Sequence, residues 1–112
     1  EGASVSTQES QFIYANSLGF MGGYPTSRQS VSCAVIAEED GAMQRDYWYT
    51  TARSAVDLDP VAAVGRRAGE RTVRRLNARK LDTRQCPVLF EAPVATGIIA
   101  SYVSAVSGAS IE

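Results

Sequence analysis

The sequence of 112 residues contains no histidine. Histidine is the side chain that titrates near neutral pH, and it is the usual general base and the commonest zinc ligand in proteins. Cysteine is scarce as well: Cys33 and Cys86 are far apart, and two thiolates cannot complete a structural zinc site. The chain by itself therefore excludes a Ser–His–Asp triad, a histidine-based metal site and a closed cysteine-based zinc site.

An excess of charge of one sign is also absent. The formal net charge is −1, because ten arginines and one lysine face twelve acidic residues. Such a chain has no general attraction for nucleic acid or for an anionic membrane. No apolar run approaches about 18 residues, and Glu1 begins no charged-then-apolar leader. We therefore expect no membrane partner, a cytoplasmic location and reduced cysteines, and the charge balance disfavours a nucleic-acid partner.

The composition that is present, 45% hydrophobic and 21% charged residues, is typical of a folded chain. A length of 112 residues fits one domain with a real core. The sequence starts without methionine and stops soon after a predicted helix. We therefore interpret residues 1–112 as a single α+β domain and an internal piece of a larger protein.

Alternating apolar and polar residues predict three strands, at 12–18, 31–37 and 43–52. Residues 1–10 are rich in Ser, Thr and Glu, and they form either a frayed entry or an edge strand. The Asp-Gly pair within 38–41 predicts a hairpin turn, because these residues tolerate positive φ angles. Three consecutive strands joined in this way make an antiparallel meander.

Glycines and a proline predict a long loop at 19–29, GFMGGYPTSRQ. Within it, Tyr24 offers an aromatic ring and Arg28 a charge. The segment is either a structural connection or a wall that faces a peptide or a partner protein. It lacks the Gly-Lys-Ser/Thr of a phosphate loop.

A helix is predicted at about 60–78, with Asp59 as N-cap and Pro60 at the first helical position. Its inner stripe holds Val64, Ala68, Thr72 and Leu76. A short apolar strand is predicted at 88–90 and a second helix at about 93–106. The fold class is therefore α+β: an antiparallel meander followed by a helix, a short strand and a second helix, with the helices packed on one sheet face.

Arginines dominate the outer side of the first helix, at Arg66, Arg67, Arg71, Arg74, Arg75 and Arg79. This side is a solvated face, a contact for an acidic protein, or a nucleic-acid contact. Gly65 and Gly69 each cost about 1 kcal/mol relative to alanine in a helix, which predicts a close approach of another element there. The aromatic run Tyr47–Trp48–Tyr49 either packs beneath a helix or stacks on nucleic acid bases.

Two long strings, IYANSLGFMGGYPTSRQS at 13–30 and the segment 43–78, resemble the TldD/PmbA family of peptidase-related proteins. Within that family the similarity is greatest to the PmbA branch, also called TldE. The resemblance runs through almost the whole chain. It implies a subunit of a heterodimeric zinc-dependent peptidase whose partner is a TldD-like subunit. Members of the family are associated with maturation of a modified peptide antibiotic, antitoxin breakdown and modulation of DNA gyrase.

The catalytic TldD-like members carry His-Glu-x-x-x-His on the helix that follows a short apolar strand. When Gly97 is aligned with that helix, the His, Glu and His positions hold Ser101, Tyr102 and Val106. None of these is a competent zinc ligand in that role. The resemblance thus implies a chain with no catalytic residue and no cofactor of its own, and it places the zinc in the TldD-like partner. We also predict an undistorted helix here, because two ligands five residues apart need a local distortion to converge.

The sequence therefore predicts a non-catalytic subunit that helps to form a cavity for peptides or unfolded proteins. Four residues are candidates for the cavity wall or the partner interface: Tyr24, Arg28, Ser101 and Tyr102. The alternatives are a metallopeptidase that is itself active with ligands outside these residues, and a module that binds gyrase or nucleic acid.

Overall fold

The computed structural model describes residues 1–108, which form two compact units, Glu1–Arg79 and a second one that starts at Lys80. The first unit contains β1 (Gly2–Ala15), β2 (Met21–Glu39), β3 (Ala42–Ala52), a short 3-10 turn (Ala55–Asp57) and α1 (Val61–Val73). The second contains α2 (Ala92–Ala105). These elements confirm the α+β class, while the assignment of all 112 residues to one domain stays a prediction.

The three strands form an antiparallel sheet in the order β1-β2-β3, which confirms the meander. The first hairpin is much longer than the sequence predicts. β1 begins at Gly2, and its pairing with β2 runs without interruption from Gly2 opposite Ala34 to Ala15 opposite Met21. Residues 1–10 therefore belong almost entirely to an edge strand, and the predicted loop at 19–29 is wrong.

Cross-strand hydrogen bonds explain why a polar segment forms this strand. The hydroxyls of Ser4 and Ser32 lie 2.8 Å apart, and Thr7 donates to Gln29 at 2.7 Å. Such pairs stabilise a sheet without apolar alternation, so the hydrophobic pattern gave no signal. The glycines that suggested a loop instead make room: a Cβ on Gly23 would lie 2.2 Å from the carbonyl oxygen of Phe12.

The turn between β2 and β3 is the tight Asp-Gly turn that the sequence predicts. Asp40 and Gly41 have φ angles of 51° and 79°, and Glu39 pairs directly with Ala42. Two consecutive positive φ angles match the right-handed twist of a hairpin.

α1 begins at Val61, so Pro60 is the N-cap and the predicted cap at Asp59 is wrong. The Asp59 side chain makes no capping bond; its backbone amide instead donates to the hydroxyl of Thr50, 3.1 Å away on β3. The helix ends at Val73, earlier than predicted, because tighter turns follow and Asn77 takes a left-handed φ of 58°.

The predicted inner stripe of α1 packs against β2 and β3. Val64, Ala68 and Thr72 are at most 1% exposed, and Val31 on β2 is 8% exposed. The Thr72 hydroxyl is satisfied because it donates to the carbonyl of Ala68 at 2.8 Å. The core of the first unit is therefore small, and it lies between one helix and one sheet face.

Gly65 and Gly69 do not serve the close packing that the sequence suggests, since a Cβ at either would meet no atom within 4 Å. We expect Gly65→Ala and Gly69→Ala each to raise the free energy of unfolding by about 1 kcal/mol, because alanine is the better helix former. Urea denaturation followed by circular dichroism measures this change. Gly23→Ala, where the new methyl group meets backbone, is the matched control and should destabilise. If Gly65→Ala or Gly69→Ala instead lowers the free energy of unfolding, glycine is required at that position of the helix.

The second unit contains no strand at residues 88–90, so that prediction is wrong. A strand needs a neighbour, and none is assigned to this segment in the described part of the second unit. α2 is a continuous helix of 14 residues with Pro93 in its first turn, and this regularity confirms the undistorted helix. Cys33 and Cys86 are both free thiols. No helix within residues 1–108 is long and apolar enough to span a membrane.

Candidate functional site

Within the first unit, α1 covers one face of the sheet and leaves the other face free of α1. Directly paired residues lie on the same face, so the register places Val31 with Thr50, Cys33 with Trp48 and Val35 with Asp46. These six residues lie on the face that α1 covers, where Asp46 and Thr50 are each 9% exposed. The opposite face, which we call the open face, carries Arg28, Arg45, Tyr47 and Tyr49.

Aromatic side chains collect on the open face. The chain has three Phe, five Tyr and one Trp. Six of these lie there in three ring pairs, whose centroids are 5.4 to 6.3 Å apart: Phe12–Tyr24, Tyr14–Phe20 and Tyr47–Tyr49. Each of the six is between 44% and 57% exposed. Half-exposed rings in such number are unusual for a solvated sheet face and are typical of a surface that meets another molecule.

Small polar residues separate the two ends of the open face. Arg28 is held by its neighbour strand, because its Nε donates to the Thr51 hydroxyl at 3.3 Å. A shallow depression of about 410 Å³ lies beside Tyr47 and is lined in part by Ser4, Ser32 and Arg45. This floor of hydroxyl groups and arginines can hydrogen-bond to a ligand, while the ring pairs offer apolar contacts.

The structure places the candidates Tyr24 and Arg28 together on the open face, in β2 and not in a loop. Four residues of a strand span about 13 Å, so the two side chains lie on the same side of the sheet at that spacing. They share a surface because of strand periodicity and not loop geometry, and their role at a cavity or a partner interface stays a prediction.

A charged cluster beneath α1 was not predicted as a unit. The Asp46 carboxylate lies 3.4 Å from Nε of Arg71 and 3.8 Å from the guanidinium of Arg75. The guanidinium carbons of Arg67 and Arg71 lie 3.9 and 5.1 Å from the centre of the Trp48 ring. We call Asp46, Trp48, Arg67, Arg71 and Arg75 the clamp.

The clamp changes the interpretation of the arginine-rich side of α1. Arg67 and Arg71 lie four residues apart on one side of α1, and Arg75 follows four residues later in the turn after the helix; all three contact residues of the sheet in their own chain. Asp46 and Trp48 lie two residues apart on one face of β3. This spacing, together with arginines at four-residue intervals from Arg67, is the sequence pattern from which the cluster could have been predicted. The aromatic run on β3 therefore divides: Trp48 packs beneath α1, and Tyr47 and Tyr49 face outward.

The other candidates lie in the second unit, on α2 or directly after it. The Ser101 hydroxyl donates to the carbonyl of Gly97 at 2.9 Å, so it is engaged by its own helix. Tyr102 is 68% exposed, and Val106 is the C-cap residue. An alcohol, a phenol and an isopropyl group do not fit zinc, which binds thiolate, imidazole and carboxylate. Within residues 1–108, no group of three or more metal-ligating side chains is placed to hold an ion.

Comparison with known proteins gives consistent results. The model for the central domain of the PmbA/TldA metallopeptidases matches residues 1–76, which nearly coincide with the first unit. The chain is 42% identical over 111 residues to metalloprotease PmbA of Escherichia coli O157:H7. It is 41% identical over 110 residues to a metalloprotease PmbA homologue of Haemophilus influenzae. These alignments cover 99% and 98% of this chain, but 25% and 24% of the relatives. The chain therefore spans about a quarter of the length of the curated relatives that it matches.

Proposed function

We propose, from the premise that this chain belongs to the PmbA/TldA metallopeptidase family, that it is part of a non-catalytic subunit of a heterodimeric zinc peptidase. The partner is a TldD-like subunit, which holds the zinc. The proposal is supported by the chemistry of α2 and its C-cap, because Ser101, Tyr102 and Val106 are the residues that the family resemblance aligns with the catalytic motif. Ser101 is engaged with Gly97, and the set does not fit a metal.

The open face supplies the second part of the proposal. We assign it to the wall of a cavity that admits peptides or unfolded chains in the cytoplasm. The half-exposed ring pairs and the floor of hydroxyl groups can contact varied side chains and backbone groups. Tyr24 and Arg28 lie on this wall, and Ser101 and Tyr102 are assigned to the cavity or to the interface with the partner. A closed cavity of this kind selects extended chains, because a folded protein cannot enter.

The test is zinc analysis together with hydrolysis of azocasein or of a peptide. The protein is assayed alone, the TldD-like subunit is assayed alone, and then the two are mixed. We expect stoichiometric zinc only in samples that contain the partner, and at least a tenfold increase in hydrolysis on mixing. Zinc bound to this protein alone, with activity, would contradict the proposal and support a self-sufficient metallopeptidase. Salt-sensitive binding of DNA without hydrolysis would support a nucleic-acid module instead.

A further inference from the structure

A cavity of about 240 Å³ lies between α1 and β3. Its walls are formed by Trp48, Asp59, Ala63, Arg66, Arg67 and Glu70. The helix residues among them are spaced by three and four positions, so they lie on one side of α1. Trp48 lies on the sheet face that α1 covers. The cavity is therefore separate from the open face, which is the surface that the proposed function uses.

Charges of both signs line this cavity, and they do not pair with each other. Within residues 1–108, the side chains of Asp59, Arg66 and Glu70 make no hydrogen bond or ion pair. In the same part of the chain Arg67 makes no ion pair either, and its guanidinium carbon lies 3.9 Å from the centre of the Trp48 ring. Two carboxylates and two guanidinium groups therefore border one cavity with hydrogen-bonding capacity to spare.

Two of the charged residues are held in place by their own chain. The backbone N–H of Asp59 donates to the Thr50 hydroxyl at 3.1 Å, which fixes the segment before α1 beside β3. Arg67 is held by its contact with the Trp48 ring. A guanidinium group that stacks on an aromatic ring keeps its N–H groups in its own plane, where a carboxylate can accept two of them. A site that is preformed in this way lowers the ordering cost of binding a small ligand.

We propose that this cavity binds a free α-amino acid in its zwitterionic form. The ligand carboxylate accepts charge-assisted hydrogen bonds from Arg66 and Arg67. The ligand ammonium group donates to the carboxylates of Asp59 and Glu70. A metal cation is repelled by the two guanidinium groups, and a simple anion is repelled by the two carboxylates. A ligand that carries both charges on one carbon atom meets favourable partners for each of them.

The size of the cavity limits the ligand to about one residue. Sites for drug-sized ligands have volumes of about 300 to 1,000 Å³, and the volume here is about 240 Å³. In an extended tripeptide the terminal charges lie about 10 Å apart, because each residue adds about 3.3 to 3.6 Å. A free amino acid is therefore preferred to a peptide. Trp48 and Ala63 offer apolar contacts to its side chain, which makes leucine a suitable probe.

The test is isothermal titration calorimetry of the protein with L-leucine, N-acetyl-L-leucine, L-leucinamide and inorganic phosphate. We expect saturable binding of L-leucine. The acetylated compound lacks the ammonium group and the amide lacks the carboxylate, so each should bind at least tenfold more weakly. Arg66→Gln and Glu70→Gln change exposed side chains and should each weaken the binding of L-leucine at least tenfold. Arg74→Gln makes the same charge change at the C-cap of α1, outside the cavity, and should bind L-leucine as the unsubstituted protein does.

Three results would overturn the amino-acid site. The first is the absence of saturable binding of L-leucine. The second is equal binding of L-leucine and N-acetyl-L-leucine, or binding of phosphate as tight as that of L-leucine, which would indicate a site for anions. The third is unchanged binding of L-leucine in both Arg66→Gln and Glu70→Gln, which would place the ligand elsewhere. Because this assay needs neither zinc nor the partner, its failure is distinguishable from failure of the proposed function.

Discussion

Trp48→Ala is expected to lower the free energy of unfolding by about 3 kcal/mol. Truncation of a packed tryptophan to alanine costs about 3 to 5 kcal/mol, and the half-buried position of Trp48 favours the low end. The substitution also removes the ring on which Arg67 and Arg71 lie, at 3.9 and 5.1 Å from its centre. Each cation–π contact contributes about 0.5 to 1 kcal/mol at a partly exposed site. Urea denaturation followed by far-ultraviolet circular dichroism measures the change.

Two further variants show which part of this loss belongs to the ring. Trp48→Phe keeps an aromatic face for the arginines and should lose only about 1 kcal/mol. Tyr49→Ala removes the next ring on the same strand, but from the open face, where the side chain is 44% exposed. It should cost less than about 1 kcal/mol. If Trp48→Ala costs no more than Tyr49→Ala, the clamp does not hold α1 on the sheet.

Asp46→Asn is expected to lower the free energy of unfolding by about 2 kcal/mol. Asparagine has nearly the same size, and its Oδ1 can still accept a hydrogen bond from the backbone N–H of Tyr47, whose nitrogen lies 2.8 Å from Oδ1 of Asp46. The change therefore removes mainly the negative charge. The Arg71 side chain is 19% exposed, and it would then lie against the sheet beside a neutral group. Loss of one member of a partly buried ion pair is costly because the other charge remains poorly solvated.

Urea denaturation of variants at other charged residues distinguishes loss of the Asp46–Arg71 ion pair from the general effect of changing the net charge. Trp48 is the only tryptophan, so its fluorescence reports unfolding of the first unit in these variants. Arg75→Gln should cost less than about 1 kcal/mol, because this side chain is 56% exposed. Asp82→Asn, in the second unit, should have no effect on this transition. The double variant with Arg71→Gln should show coupling above about 1 kcal/mol; additive effects would argue against a direct pair.

The clamp also determines which sheet face remains available for binding. With the small core of Val31, Val64 and Ala68, α1 has few apolar contacts, so its attachment depends strongly on Asp46 and Trp48. While α1 stays on that face, the open face with its ring pairs is presented to solvent or to a partner. The two stability predictions therefore bear on the proposed function, since loss of the clamp would free α1 from the sheet.

Part of this protein could be predicted from local pattern alone. Alternation along β3, the Asp-Gly turn and the stripe of Val64, Ala68 and Thr72 are confirmed. In each case a short segment carries its own signal, through side-chain periodicity or allowed φ angles. The absence of histidine likewise required no coordinates.

The tertiary structure decided the features that depend on neighbours. β1 extends to Gly2 because Ser and Thr side chains bond across to β2, and hydrophobic alternation cannot report such pairs. The predicted strand at 88–90 has no assigned neighbour in the described residues and does not form. Packing of α1 on one face of the sheet joined Asp46 and Trp48 to the arginines of the helix. That same choice left Arg28 and six aromatic rings, Tyr24 among them, on the opposite face. A sequence specifies which residues share a face, but only packing decides which face is covered, because both faces of this sheet contain residues able to pack.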